Sequence, residues 1–180
     1  MKGCCKMNSG LNTLYERRSI RKYKPEQISD EELELVLKAG TCAPTAMNLQ
    51  SPIIIAVQNK EEIAYISKLN AKIMGQEGID PFYGAPTLLI VLADAASKNA
   101  TKDGSLVMGN LMNAAHAVGL GSCWINRATE LFDMQEGKEL LKKWGIEGEY
   151  IGVGNCILGY ADQELPAMKP RKDNYVYYIR

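Results

Sequence analysis

A short basic segment near the start of the chain holds the residues best suited to chemistry. Residues 16–23 (ERRSIRKY) combine four cations with a serine hydroxyl, namely Arg17, Arg18, Ser19, Arg21 and Lys22. Guanidinium groups and hydroxyls suit a phosphate monoester, which carries about −1.5 to −2 charges and three acceptor oxygens. Pro25 follows at once and argues against a long helix through the segment. The pattern suits a phosphate site, but charge runs are more often solvated basic surfaces whose arginines pair with carboxylates elsewhere, so both interpretations stay open here.

A second polar segment follows about 20 residues later, at 43–52 (APTAMNLQSP). Pro44 and Pro52 bracket small and amide-bearing residues, which is typical of an ordered loop. Asn48 and Gln50 each offer a donor and an acceptor, as the edge of a pyrimidine-like or flavin ring requires. The alternative is a loop that is closed by its own side-chain hydrogen bonds.

Composition limits the classes of protein that the chain can be. Its 180 residues suffice for one domain, and we expect a flexible tail at 1–10 followed by a single domain at 11–180. Lys+Arg and Asp+Glu both number 21, so the formal net charge is zero. That balance argues against a nucleic-acid-coating protein. No apolar run approaches the roughly 20 residues that span a bilayer, so no membrane association is expected.

The histidine and cysteine content gives little support for a metal site or for a catalytic nucleophile. His116 is the only histidine, and the five cysteines include no Cys-x-x-Cys spacing. A histidine-based metal site or a Ser-His-Asp triad would therefore depend on His116 alone, and a structural role in a helix is the better interpretation of this residue. We expect the cysteines to be reduced and the protein to be cytoplasmic.

Apolar periodicity predicts the elements that must position these segments. Helices are predicted over 11–15 as a short turn, after the capping-box sequence 29–32 (SDEE), and over 60–74, 103–118 and 130–144. Strands are predicted at 53–57, 87–93, 122–125, 150–159 and 175–179. Helices and strands mix without strict alternation, which favours an α+β fold with a central, mostly antiparallel sheet flanked by helices. The Gly-x-Gly-x-x-Gly fingerprint of dinucleotide-binding folds is missing.

Four segments in this order resemble the nitroreductase superfamily of FMN-dependent flavoproteins, over about residues 11–172. They are 17–23 (RRSIRKY), 43–52 (APTAMNLQSP), 119–125 (GLGSCWI) and 169–171 (KPR). The chain departs from the family where 50–53 reads QSPI, since the family motif often ends Gln-Pro-Trp. It is also short for the family. Both departures leave the substrate class open.

The resemblance implies a nitroreductase-like fold and a homodimer with FMN bound at the subunit interface. The phosphate, the ribityl chain and one ring edge would meet Arg17, Arg18, Ser19 and Arg21, and the phosphate would also meet Lys169 and Arg171. The flavin of the partner subunit would be lined by Pro44, Thr45, Ala46 and Asn48. The ring would lie near Trp124, Ile125 and Asn126, with Asn70 as a further contact. The helix at 103–118 would form the dimer contact, where Gly109 and Ala115 permit close approach.

The same resemblance implies an oxidoreductase. A flavin carries the redox chemistry itself, so neither a catalytic side chain nor a metal is expected. NAD(P)H would reduce the flavin, and a nitroaromatic, quinone or similar small acceptor would reoxidise it in a ping-pong cycle on one open face. Two alternatives stay open. One is a flavin-storing, flavin-consuming, dehydrogenase or dehalogenase branch of the same fold, and the other is a non-flavin, anion-binding module that docks an acidic partner.

Overall fold

The structure is a computed structural model that describes residues 9–180. Most of the predicted tail therefore lies outside the described residues. The helices are α1 (Ser9–Glu16), α2 (Asp30–Thr41), α3 (Lys60–Ile73), α4 (Ala100–Ala117), α5 (Ala128–Asp133) and α6 (Gln135–Lys143). The strands are β1 (Pro52–Val57), β2 (Thr87–Asp94), β3 (Gly121–Ile125) and β4 (Tyr150–Gly159). None of the helices in this part of the chain is both long and apolar enough to cross a membrane.

The four strands form one sheet in the order β1-β2-β4-β3, and every neighbouring pair is antiparallel. Side chains of β2 alternate between two apolar clusters, because successive residues of a strand point to opposite faces. Ile90 packs with the cluster of α3, α5 and α6, and Val91 packs with the cluster of α2 and α4. Helices thus cover both faces of the sheet, and the predicted α+β class with an antiparallel sheet is confirmed.

Glycines in β4 allow other groups to approach the strand closely. A Cβ atom on Gly152 would lie 2.0 Å from the carbonyl oxygen of Ala128, where α5 begins. A Cβ on Gly154 would lie 2.8 Å from the indole ring of Trp124. These two contacts fix the end of β3 and the start of α5 against β4, which is where the candidate site lies.

We expect Gly152→Ala to destabilise the protein by about 3 kcal/mol, since the added methyl group meets backbone that cannot move aside easily. Urea unfolding followed by circular dichroism measures this loss. An unfolding midpoint equal to that of the wild-type protein would contradict the close packing of β4 on α5.

The predicted capping box at the start of α2 is confirmed. The Glu32 N–H donates to Ser29 Oγ at 3.2 Å, and the Ser29 N–H donates to Glu32 Oε2 at 2.9 Å. The hydroxyl of Tyr160 donates to the same Oε2 at 2.7 Å. The Tyr160 hydrogen bond, followed by the bonds from Ser29, lowers the pKa of Glu32 below its usual 4.5.

This lowered pKa predicts an acid-dependent loss of stability. The ionised Glu32 is favoured in the folded state, so its contribution is present above about pH 4.5 and is lost as the pH falls through the lower folded pKa. We expect Glu32→Gln to reduce the decline of the unfolding free energy between about pH 5 and pH 3. Glu31→Gln is the control, since Glu31 lies in the same turn without a capping bond. If the unfolding free energy declined equally in the wild type and in Glu32→Gln, the ionisation of Glu32 would not contribute to acid sensitivity.

Two predicted elements are wrong. The predicted helix at 130–144 is two helices, because Met134 adopts an extended conformation with ψ 158° between α5 and α6. The first turn of α6 packs so tightly on α5 that a Cβ on Gly137 would lie 2.1 Å from the Leu131 carbonyl oxygen. Residues 175–179 form no strand. Their composition favours β structure, but a strand needs a hydrogen-bonded neighbour, and this segment has none within residues 9–180.

Candidate cofactor site

A cavity of about 670 Å³ lies at the end of β3. Its volume is within the range of ordinary small-molecule sites. Five of the predicted site residues line it, from the basic segment, from α3 and from the end of β3: Arg21, Asn70, Trp124, Ile125 and Asn126. The structure therefore brings together residues that lie more than 100 positions apart in the sequence.

The basic segment runs along the free edge of β3. Ser19 bridges to Ser122, and the Ile20 N–H donates to the carbonyl oxygen of Ser122 at 3.0 Å. Further along, the segment pairs with residues 160–166, which follow β4. The Asp162 N–H donates to the Lys22 carbonyl oxygen at 2.9 Å. The early segment is thus held first by β3 and then by a late segment of the chain.

The two adjacent arginines of this segment differ in their contacts. Arg17 Nη1 is buried and has no hydrogen-bond partner within residues 9–180. The Arg18 side chain instead donates to three carbonyl oxygens, those of Tyr15 at 2.7 Å, Arg17 at 2.9 Å and Pro166 at 3.1 Å. A buried cationic donor without an acceptor is unfavourable, so Arg17 fits an anionic group such as the phosphate of FMN. Arg18 serves mainly to join the two segments.

Burial also affects the thiol of Cys156, which interacts electrostatically with Arg17. Cys156 on β4 is fully buried, and burial raises the pKa of its thiol to about 12, which the positive charge of Arg17 offsets only in part. The thiol therefore stays protonated at neutral pH, and it offers Arg17 no negative charge.

An amide cluster forms the wall of the cavity near α3. The carbonyl oxygen of Asn126 accepts from Asn70 Nδ2 at 2.8 Å and from Asn155 Nδ2 at 3.4 Å. The Oδ1 atoms of Asn70 and Asn155 are buried without a partner in the described part of the chain. An unpaired acceptor on a cavity-lining residue fits a ring that carries an N–H group, as flavin does. The predicted Asn70 contact thus has a chemical basis.

Arg127 at the cavity and Asn155 behind it were not among the predicted site residues. Arg127 follows the predicted trio at the end of β3 and lines the cavity. Asn155 is an amide inside the otherwise apolar β4 (YIGVGNCILG), and that contrast was the sequence signal that could have revealed it.

The loop at 43–52 does not line this cavity. Thr45 borders a separate cavity of about 360 Å³ beside α2 and β1. The Ala46 N–H donates to both carboxylate oxygens of the buried Asp103 on α4, each at 3.2 Å. Pro44 and Asn48 are exposed. The loop therefore presents its predicted site residues away from its own chain's cavity.

This loop is also held in an unfavourable conformation. Met47, Asn48 and Gln50 have φ values of 51°, 56° and 52°, in the left-handed region that residues other than glycine rarely adopt. The Gln50 N–H donates to Thr45 Oγ1 at 3.0 Å, so the loop is partly closed by its own side chains. Backbone strain of this kind is frequent at ligand sites.

Lys169 and Arg171 lie in an exposed tail that follows Pro166. Neither residue lines the cavity. The connection to the basic segment ends at the Arg18–Pro166 hydrogen bond, three residues before Lys169. Their predicted contact with a phosphate stays a prediction.

Within residues 9–180 no three potential metal ligands cluster together. His116 lies in the last turn of α4. Cys42, Cys123 and Cys156 are free thiols, and only Cys42 is exposed.

Comparisons with known proteins agree with the fold. A model of the Nitroreductase family matches residues 14–160. A protein of Archaeoglobus fulgidus, provisionally named NADH dehydrogenase/NAD(P)H nitroreductase, is 32% identical over 163 residues, which is 88% of each chain.

Solved structures with a similar fold include two nitroreductases with bound FMN. The one from Bacteroides fragilis has a TM-score of 0.88 at 26% identity, over 97% of this chain and 100% of that chain. The one from Desulfitobacterium hafniense has a TM-score of 0.84 at 28% identity, with the same coverage. Since the family model covers most of the sequence, this chain belongs to the Nitroreductase family.

Proposed function

We propose that this protein is an FMN-dependent oxidoreductase that passes electrons from NAD(P)H to nitroaromatic, quinone or similar small acceptors. The observation that carries the proposal is the cavity walled by Arg21, Asn70 and the end of β3, in a fold shared with FMN-bound relatives. Donor and acceptor would use this cavity in turn, which is a ping-pong cycle.

The roles of the chain's residues follow from their contacts. Bound FMN would supply the electron-transfer chemistry itself, so the protein has to hold and orient it. Arg17 and Arg21 would bind the phosphate, because one has an unpaired buried donor and the other lines the cavity. Asn70 would accept a hydrogen bond from the ring. Ser19, Lys169 and Arg171 would complete the phosphate site, and Trp124, Ile125 and Asn126 would flank the ring.

We propose further that the protein is a homodimer in which Pro44, Thr45, Ala46 and Asn48 line the flavin of the partner subunit. The strained loop that carries them faces away from its own chain's cavity, which supports a role across the interface. Gly109 on α4 leaves room for a close contact there, since a Cβ on this residue would meet nothing of its own chain within 4 Å. Ala115, by contrast, is fully buried in its own core, so it does not contribute to that contact.

The exposed tail gives a second reason to expect a dimer. Residues 175–179 include five large apolar or aromatic side chains, and Ile179 is 95% exposed. Five consecutive exposed side chains of this kind are unusual on a monomer and favour a contact surface. A second copy of the chain is the partner that a homodimer supplies.

A visible spectrum followed by an anaerobic titration tests the proposed function. We expect purified protein to show flavin absorption bands, to be bleached by NADH or NADPH, and to recover its colour when a nitroaromatic or quinone is added. Colourless protein that takes up no added FMN would refute flavin binding. Yellow protein inert to both nicotinamides would refute the electron donor, and reduced protein that no acceptor reoxidises would refute the acceptor class.

A further inference from the structure

Asn155 is a fully buried amide in an apolar strand, and only one of its two polar side-chain atoms has a hydrogen-bond partner within residues 9–180. Its Nδ2 donates to the carbonyl oxygen of Asn126 at 3.4 Å, and the equally buried Asn70 donates to the same oxygen at 2.8 Å. Because the acceptor is a carbonyl oxygen, both amides must turn their NH₂ groups toward it. Each is left with a buried, unpartnered Oδ1 within residues 9–180. An apolar residue at 155 would avoid this unfavourable arrangement, so the amide needs an explanation.

The two amides determine where the next N–H group points. They hold the Asn126 carbonyl toward the protein interior. The peptide bond between Asn126 and Arg127 is trans, so its N–H points opposite to its carbonyl. Asn126 and Arg127 both line the cavity, and the Arg127 N–H makes no hydrogen bond in the described part of the chain. The geometry therefore directs a free backbone donor away from the interior amides and toward the cavity.

The backbone of Arg127 is strained in the same place. Its φ is 83°, in the left-handed region that is unfavourable for a residue with a side chain. Such a conformation persists only where the surroundings impose it. Here the amides hold the preceding carbonyl, and the first turn of α5 holds the following one through the Leu131 N–H at 2.9 Å.

We propose that Asn155 is a positioning residue for the cofactor cavity. Together with Asn70 it holds the Asn126 carbonyl in place by hydrogen bonds, so that the Arg127 N–H is oriented to donate to an acceptor atom of the ring. This inference rests on the proposed function, since it assumes that FMN occupies the cavity. A fixed N–H dipole stabilises added electron density on a bound group, so loss of the hydrogen bonds to the Asn126 carbonyl should disfavour the reduced cofactor.

The test is the midpoint potential of bound FMN in Asn155→Leu, measured by spectroelectrochemistry. Leucine keeps the branching at Cγ but removes both the donor and the unpaired oxygen. We expect the affinity for reduced over oxidised FMN to fall about tenfold, which lowers the potential by about 30 mV for a two-electron couple. The unfolding midpoint should not fall in parallel, because no buried polar atom of residue 155 is left unpaired. Asn155→Ala is the second variant in case leucine does not fit, and it should shift the potential in the same direction.

Thr129→Val is the matched control. Thr129 Oγ1 donates to the carbonyl oxygen of Gly152 at 2.6 Å, so the variant also removes a side-chain donor to a backbone carbonyl beside β4. It should leave the potential unchanged. An unchanged or raised potential in the Asn155 variants, or an equal fall in Thr129→Val, would overturn the role of Asn155. Wild-type protein that binds no FMN would instead refute the proposed function itself.

Discussion

Arg17→Met should release FMN from this protein more readily than any other single change in the basic segment. Methionine retains the aliphatic contacts of the arginine stem but removes the buried Nη1 that has no partner within residues 9–180. A hydrogen bond to a charged group contributes about 1.5–3 kcal/mol, so each bond lost to the phosphate should weaken binding about 10- to 150-fold. Quenching of FMN fluorescence on addition to the apoprotein measures the dissociation constant.

Lys22→Met is the control for this variant. Lys22 belongs to the same basic segment, but it is 68% exposed and pairs with Asp162 at 2.7 Å. Exposed ion pairs contribute little, so FMN affinity should change less than about threefold in this variant. Equal losses in the two variants would mean that the net charge of the segment matters and that the buried guanidinium has no specific role.

A chain that ends at Lys172 should be monomeric. The deletion removes the apolar residues 175–179 but retains Lys169 and Arg171, so it separates the contact surface from the phosphate-binding cations. Burying even two of the lost side chains in a dimer contributes about 3 kcal/mol, so the dimer should weaken at least about 100-fold. Sedimentation equilibrium measures the change. Flavin retention should fall with it, because the loop at 43–52 would no longer line a partner's cavity.

Replacing Asp173 and Asn174 by serine provides the control for the deletion, since both are polar residues of the same tail. This double variant should remain dimeric and yellow. A deletion variant that stays dimeric would show that the tail lies outside the interface. A wild-type monomer that retains FMN would remove the need for any contribution from a partner subunit.

Local patterns were sufficient to predict most of the elements. The capping box at Ser29 depends on only four consecutive residues. The strand β2 is a continuous apolar run, so its burial can be predicted without knowing which strands lie beside it. The basic segment could likewise be singled out from its residue types alone. Its convergence with Asn70 and the end of β3 could be expected only through the resemblance to a family.

The parts that were missed depend on contacts between distant residues. The hydrogen bond between Asp103 and Ala46 joins residues 57 positions apart, so the local residue pattern cannot predict it. The same holds for the hydrogen bond from Asn155 to Asn126. The break at Met134 arises because α6 packs on α5, which overrides a helical pattern that looks continuous in the sequence. Residues 175–179 carry a strand-forming composition but find no neighbouring strand in the chain.

The hydrogen bonds that join residues 18–24 to residues 160–166 have a consequence for biosynthesis. Arg18 reaches Pro166 across 148 positions, so this pairing cannot form until residue 166 has left the ribosome. Contacts of such long sequence separation form late, because the intervening chain must first be ordered. A nascent chain that stops before residue 160 would have its arginines but no framework to hold them. We therefore expect FMN to bind only after residues 160–166 have been synthesised, and ribosome-bound chains that stop before residue 160 should be colourless.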